Sequence, residues 1–309
     1  MYYNSLAISL TNKCNASCKF CGVSACNSDI EENSLQLDIL EKICKEVIEV
    51  DSIKNIVFTG GEPFLYFDRI KSAIRLFKTS QKRVGAVTNG FIFKDKLLAG
   101  KLINEVKQYN FDFLHISTDQ YHLEYIDLNI IKNAIATCNE YGLDLALKIG
   151  VDRSDQTYIR IIEALEEAVF NIDLKIYPII PLGRAAYLEE KCFYLTPISD
   201  LDLSCKHSST LFVDEKGDIY PCCFFYRPQF MTLGNIKTRC IKEATGLARR
   251  NKCYQEIYLH GFKNLINYLI ENQAMSITNS YVDSCHLCNE IFGNEKYQNL
   301  LHDYYFHRS

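Results

Sequence analysis

No stretch of this chain stays apolar for the roughly eighteen residues that a membrane-crossing helix needs; charges or amides interrupt every candidate, including 161–170 and 265–270. Nor does it open on a basic segment followed by a long apolar one, so secretion is not expected. Cations do not outnumber anions. The formal net charge is −4, and Lys and Arg are scattered through the helical stretches, which leaves no basic footprint for nucleic acid. Internal repeats and low-complexity linkers are absent as well. These absences together predict a soluble, cytoplasmic, globular protein with no nucleic acid and no membrane among its partners.

What the chain has in excess is cysteine, 14 in 309 residues. In a reducing compartment, thiols at that density serve as metal ligands or catalytic groups more often than as disulfide partners. Cys14, Cys18 and Cys21 form an odd trio early in the chain. A structural zinc site wants four ligands and closure. Three thiolates instead hold three irons of a cubane [4Fe-4S] cluster and leave the fourth iron open to a ligand that is not protein. The open iron is the expected seat of chemistry.

With 48% hydrophobic residues the chain can bury a full core, and its length suits one large domain, 1–190, with a smaller appendage, 191–309. Over roughly the first 180 residues, short β-branched or aliphatic runs alternate with amphipathic stretches of helical period, the pattern of repeated strand–helix units around a parallel sheet. Strands are predicted at 6–10, 55–59, 84–88, 113–117, 143–149 and 174–179, and helices at 35–50, 67–78, 94–109, 129–141 and 155–169. The fold class is therefore α/β, a partial (β/α)6 TIM barrel with its ligand site at the carboxyl ends of the strands.

The unusual residues fall at that end. Strand one runs into the cysteine trio, strand two into Gly60, Gly61, Glu62 and Pro63, and strand three into Asn89 and Gly90. Strand four runs into Ser117 and Asp119, and strand six into Gly183, Arg184 and Ala185. A Gly-Gly pair lets backbone approach a ligand closely, and the Glu-Pro step after it stiffens exposed carbonyls that accept from an ammonium group. Cys14, Cys18 and Cys21 with Gly60 to Pro63 resemble the radical S-adenosylmethionine (SAM) superfamily, whose partial barrel matches this reading. The resemblance implies that the open iron chelates SAM and that one electron from the cluster releases a 5′-deoxyadenosyl radical. It further implies that Gly60, Gly61, Glu62 and Pro63 meet the methionyl amine, that Ser117 and Asp119 lie near the ribose, and that Gly183 and Arg184 lie beside the adenine. Asn89 is a further cofactor contact on the same grounds.

A second cysteine group follows the barrel. Gly217 sits in the turn of a hairpin predicted from 211–213 to 218–220, so Cys205 and Cys222 converge on one side of it, and Cys285 and Cys288 complete four thiols. Spacing alone leaves zinc or an auxiliary [4Fe-4S] cluster open. The pattern resembles the shortened SPASM, or twitch, extension of peptide-modifying radical enzymes, a small α+β iron–sulfur extension with one auxiliary cluster, since Asn294 stands where a further cysteine would continue the series.

Cys223 follows Cys222 directly, and neighbouring residues on extended backbone point in different directions, so Cys223 is free to face the barrel mouth as a hydrogen-atom donor. Ordinary buried or spare thiols are expected at Cys26, Cys44, Cys138, Cys192, Cys240 and Cys253. The opening cysteine run, the Ser117-x-Asp119-x-Tyr121-His122 stretch, the segment from Gly217 to Cys223 and Cys285-x2-Cys288 resemble the epipeptide epimerases, which convert L-residues to D-residues in ribosomally made peptides. The resemblance implies a precursor peptide as partner, an external one-electron donor such as a flavodoxin or ferredoxin, and Cys223 as the catalytic thiol. Thr210 departs from the acidic residue expected near the substrate. Lys148 and Arg153 are candidate carboxylate contacts or solvated charges, His122 a ligand contact or a structural imidazole, and His286 a spacer. Two other readings stand beside the epimerase: a radical thioether or carbon–carbon crosslinking maturase, and a non-enzymatic zinc-binding interaction module. The helices at 257–270 and 292–305 are expected to pack as core.

Overall fold

Hydrophobic alternation decides the strands. The computed structural model describes residues 3–27, 34–223 and 231–306. In it β1 (Ser5–Ser9), β2 (Asn55–Thr59), β3 (Arg83–Thr88), β4 (Phe111–Thr118), β5 (Asp144–Val151) and β6 (Asp173–Pro178) run parallel and in sequence order across one sheet. Between them lie α1 (Leu37–Ile48), α2 (Phe67–Ile74), α3 (Lys96–Lys107), α4 (Leu128–Tyr141) and α5 (Thr157–Leu165). Leu6 and Ile8, Ile56 and Phe58, Val84 and Ala86, Leu114 and Ile116, and Leu147 and Ile149 share one core with helix residues such as Leu40, Ile43, Ile70, Ile103 and Ile135. The alternate residues, among them Ala7, Ser9, Val57, Ser117 and Lys148, point to the opposite face of the sheet. Burying one Ile or Phe is worth roughly 1.5–3 kcal/mol, against about 0.5–1.5 kcal/mol for a ladder hydrogen bond. The helix-facing residues therefore fix the register and leave the inner face free for chemistry.

After β6, a short β7 (Thr196–Pro197) precedes a hairpin, β8 (Thr210–Val213) and β9 (Ile219–Tyr220), which joins the free edge of β1: β8 lies parallel to β1 and β9 antiparallel to β8. Asp214 accepts from the Lys216 and Asp218 amides to close its turn, with Gly217 at φ +86°. Then follow α6 (Ile241–Arg250), α7 (Lys252–His260), α8 (Lys263–Glu271), β10 (Ser280–Tyr281), which pairs with β7, and finally α9 (Ser284–Gly293) and α10 (Glu295–Phe306). The boundaries of β1 to β6, β8 and β9 fall within two residues of the sequence expectation, whereas β7 and β10 have no counterpart in it. The C-terminal helices differ from it. The single helix expected over 257–270 is two, broken at Gly261, which takes φ +66° and lies so close to Leu203 that a Cβ would sit 2.2 Å from its carbonyl oxygen. The helix expected over 292–305 is likewise interrupted at Asn294, between α9 and α10. Their apolar faces do pack as core, through Ile257, Phe262, Leu265, Leu269, Tyr297 and Leu301. No helix among the described residues is long and apolar enough to cross a membrane.

The Gly60-Gly61 pair makes a close backbone approach within the chain itself. A Cβ on Gly60, which takes φ +140°, would lie 2.3 Å from the Thr11 carbonyl oxygen, and one on Gly61 would lie 2.1 Å from that of Lys13. The Gly61 amide donates to Thr11 O at 2.6 Å and the Glu62 amide to Lys13 O at 2.8 Å. The close approach is thus to the chain's own cysteine loop. Gly61→Ala is expected to lower the unfolding free energy of the metal-free protein by about 1–3 kcal/mol, the usual cost of overpacking. Gly246→Ala, in α6 with no atom nearer than 3.4 Å, serves as control and is expected to be neutral or to stabilise. Denaturant midpoints of the two variants check this.

Candidate active site

The loop after β1 carries Cys14, Cys18 and Cys21 across the carboxyl ends of the strands. It is closed on itself by the Cys14 amide donating to Cys26 O, and the Cys21 amide donates to Cys18 O. Arg184 clasps it from the end of β6: its amide donates to Cys21 O at 3.0 Å and its Nε to Cys18 O at 2.9 Å. Gly183 takes φ +55°, and a Cβ there would meet the Gly22 carbonyl at 2.4 Å, so the turn sits against the loop with no room for a side chain. The Gly183-Arg184 pair, read from the sequence as an adenine contact, thus packs on the cysteine loop.

Cys14 is met by two donors, the Ala16 amide at 3.4 Å and Asn89 Nδ2 at 3.8 Å, the latter also bonded to Asn15 Oδ1 at 2.8 Å. N–H groups aimed at sulfur suit a thiolate that carries metal. Burial pushes the Cys14 thiol up to about 11 and Cys18 up to about 12, and the trio's mutual charge adds to both shifts. Unaided, these thiols resist ionisation; a bound cation supplies the compensating charge. Among the described residues no group of three or more Cys, His, Asp or Glu has the geometry to hold one metal ion. A cubane distributes its thiolates over separate irons and so asks for a wider set than an ion does.

Glu62, in the motif of Gly60 and Gly61, turns its carboxylate inward. Its side chain is fully buried and accepts from the Phe64 amide, the Asn89 amide and Thr88 Oγ1 at 3.0, 2.8 and 2.8 Å. Burial raises its pKa to about 7 despite those three bonds. Pro63 begins the helical turn that follows and is buried. Asp119, also buried, accepts from the Tyr121 and His122 amides and pairs through Oδ2 with His122 Nδ1 at 2.9 Å. That pairing makes His122 a braced imidazole. Phe20, between two of the cysteines, stacks on Tyr121 at 5.4 Å and meets His122 edge-on at 5.2 Å, while Tyr121 Oη donates to Asp152 Oδ2 at 2.6 Å. Ser117 and Lys148 are register partners on the inner face, and Lys148 lies beside Lys175 on β6. Burial, then the Lys175 charge, lowers the Lys148 pKa. Arg153 is exposed.

The second thiol group assembles from three segments. Cys205 precedes β8, Cys222 follows β9, and Cys285 and Cys288 lie on the first turn of α9, whose N-cap Asp283 accepts from the Cys285 and His286 amides. Burial raises the Cys285 and Cys288 pKa values; Asp283, Cys205, Cys222 and Cys223 add to the first, and Cys222, Cys285 and Cys205 to the second. His286 Nδ1 accepts from the Val282 amide and its ring meets Tyr281 edge-on. Cys253, read as an ordinary thiol, lies close enough to Cys288 to raise its pKa as well. Cys223 turns the other way, packing against Ala7, Phe212 and Tyr220 with Val57 beside it, and its Sγ is 4.0 Å from His207 Nδ1. Burial raises its pKa, so sulfur keeps its hydrogen. Thr210 pairs with Ser5 at the foot of β8, on the face that Ala7 and Phe212 share.

Residues 8–176 match the radical SAM superfamily and residues 205–289 the SPASM iron–sulfur cluster-binding domain. The chain belongs to the radical SAM superfamily. It accordingly binds SAM and a [4Fe-4S] cluster, with auxiliary iron–sulfur in the SPASM segment. Over 313 aligned residues it is 25% identical to the putative peptide biosynthesis protein YydG of Bacillus subtilis strain 168, covering 98% of this chain and 97% of YydG. A probable GTP 3′,8-cyclase of Sulfolobus acidocaldarius is 31% identical over 159 residues, 50% of this chain and 46% of the cyclase. Among solved structures, anSMEcpe with bound AdoMet superposes with a TM-score of 0.61 at 16% identity, covering 96% and 98% of the two chains. BtrN in complex with AdoMet and 2-DOIA gives 0.52 at 15% identity, covering 84% and 86%.

Several residues of the site escaped the sequence. Glu215, in the β8–β9 turn, accepts from Ser9 Oγ at 3.3 Å, which depends on the hairpin joining the edge of β1. The Tyr121–Asp152 bond links residues 31 apart, and no local pattern announces it. Because the Glu62 carboxyl has a folded pKa near 7, above its usual value, the stability associated with its protonated form is lost as pH rises toward 7. Glu62→Gln removes that titration. The unfolding free energy of the metal-free parent, minus that of Glu62→Gln, is expected to fall between pH 5 and pH 8, as paired denaturant titrations would record.

Proposed function

We propose that this protein is a radical SAM peptide epimerase that inverts L-residues of a ribosomally made precursor peptide. One observation carries the reading: Cys222 and Cys223 are adjacent, yet Cys222 acts on both Cys285 and Cys288, whereas Cys223 acts on Cys285 alone of that pair and packs on the inner face of the sheet. The near full-length similarity to YydG supports a peptide as substrate. In this reading Cys14, Cys18 and Cys21 hold the radical cluster, and Cys205, Cys222, Cys285 and Cys288 hold a single auxiliary cluster.

Bound there, cluster and SAM supply a carbon radical able to take a hydrogen atom from an unactivated C–H bond. The chain's own residues do the rest. Glu62 and Arg184 hold the cysteine loop against the strand ends, while Gly60, Gly61, Pro63, Asn89, Ser117 and Asp119 surround the nucleotide. Lys148 offers an ammonium on the inner face to a carboxylate of cofactor or peptide. Once the peptide's α-hydrogen is gone, the planar α-carbon has lost its handedness, and Cys223 returns hydrogen from the opposite face, leaving a thiyl radical that one electron and one proton, supplied through the auxiliary cluster or by an external thiol, would restore to the thiol. The D-product then presents no α-hydrogen to the radical, which makes the inversion one-way. An external one-electron donor of the flavodoxin or ferredoxin type supplies the reducing electrons, and the domain division falls near residue 190.

The test is turnover in deuterated water with a short peptide encoded beside the gene, followed by hydrolysis and chiral amino-acid analysis. One deuteron per D-residue is expected with no other change in mass, and Cys223→Ala is expected to abolish D-residues while SAM cleavage continues. A product lighter by two hydrogens per event would assign crosslinking instead, with the auxiliary cluster as oxidant of the peptide radical.

A further inference from the structure

We infer that the Tyr3 hydroxyl donates a hydrogen bond to a sulfur of the auxiliary cluster and thereby holds that cluster's reduction potential up. The inference rests on the proposed reading that Cys205, Cys222, Cys285 and Cys288 carry a cluster.

Tyr3 precedes β1 and is wholly buried, packed in the main core. Its hydroxyl oxygen is out of contact with solvent and has no hydrogen-bond partner among the described residues. Phe would fill an apolar core position as well without desolvating a hydroxyl, so an orphaned phenol there calls for a partner that the described residues do not provide. Its surroundings name one. Cys222 and Cys205 are near enough for their charges to raise the Tyr3 pKa, after the larger effect of burial. The neighbouring phenol, Tyr254, also feels Cys222 and Cys288, yet its Oη already donates to Met231 O at 2.7 Å. Of two tyrosines beside Cys222, one is satisfied by backbone and the other has no partner among the described residues.

The position of Tyr3 is fixed by the sheet. The Asn4 amide donates to Ser209 O at 3.0 Å, and Asn4 O accepts from the Lys54 amide at 2.7 Å. The phenol is therefore anchored to the β8 side, four residues beyond Cys205, and has little freedom to turn elsewhere. A donor to a cluster sulfur favours the state carrying more negative charge, the reduced one, and so raises the potential. Tyr3 acts through the cluster and is a positioning residue.

The experiment uses the full chain with Cys14, Cys18 and Cys21 replaced by Ala, so that only the auxiliary site is loaded after anaerobic reconstitution. An electron-paramagnetic-resonance redox titration then compares this protein with its Tyr3→Phe derivative. The midpoint is expected to move to a more negative potential at unchanged iron content, while metal-free Tyr3→Phe unfolds at the same or a higher temperature than its parent. An unchanged midpoint with the signal intact overturns the inference. A lower unfolding temperature for the metal-free variant also overturns it, because the hydroxyl would then have a partner within the protein. Absence of any iron signal in the Tyr3 parent overturns the cluster reading itself, a result distinct from either.

Discussion

A single buried carboxylate joins three strand ends. Glu62 follows β2, takes two of its hydrogen bonds from Thr88 and Asn89 at the end of β3, and gives its amide to Lys13 in the loop after β1. Burying a carboxylate is expensive, and the rise of its pKa to about 7 is the trace of that expense. Three donors aimed at it, each worth roughly 1.5–3 kcal/mol to a charged acceptor, offset the cost. Every element that presents the cysteine loop converges on this point: the glycines that let two backbones touch, Asn89 reaching back to Asn15 and Cys14, and the Arg184 clasp on the far side. The loop is positioned by polar contacts among strand ends, whereas the strands themselves are positioned by the apolar core behind them.

The two thiol groups answer to opposite ends of β1. Its carboxyl end leads to Cys14, and its amino end, through Tyr3, adjoins Cys205 and Cys222. Five residues at about 3.3 Å each put on the order of 16 Å between those ends. The β8–β9 hairpin spans the same interval. Its turn stays at the carboxyl end, where Glu215 meets Ser9, and β9 then returns antiparallel to deliver Cys222 and Cys223 toward the amino end. A single hairpin thus touches both centres, which makes the segment after the barrel part of the sheet as well as part of the second site.

Strand positions were legible because the core-facing alternation is local and strong: Leu6 and Ile8, or Ile56 and Phe58, are read from five residues. The cysteine sets were legible because thiols at short spacing have few other uses in a reducing compartment. What the Gly60-Gly61 pair approaches was not legible, since a glycine announces close contact without naming its partner, and the partners are Thr11 and Lys13 in the loop that leaves β1. Arg184 and Glu215 act on residues more than 160 positions away, at Cys18 and Ser9, and no local pattern encodes such distances. The C-terminal helices were joined too readily: helical period continues across Gly261 and Asn294, and only the Leu203 carbonyl against Gly261 shows why the first break exists.

The adjacency of Cys222 and Cys223 has a geometric corollary. Tyr220 and Cys223 share the inner face three residues apart, so the alternation of the strand does not reach Cys223: the chain bends at Pro221 and Cys222, and that bend, together with the register of β9 against β8, sets which thiol turns inward. That register is held by Val213 opposite Ile219 and Phe212 opposite Tyr220, two pairs whose apolar members are buried. The turn between them sets where that bend falls. Asp214 and Gly217, which fix the turn's length and its left-handed step, thus act on the direction of the two thiols from the far end of the hairpin.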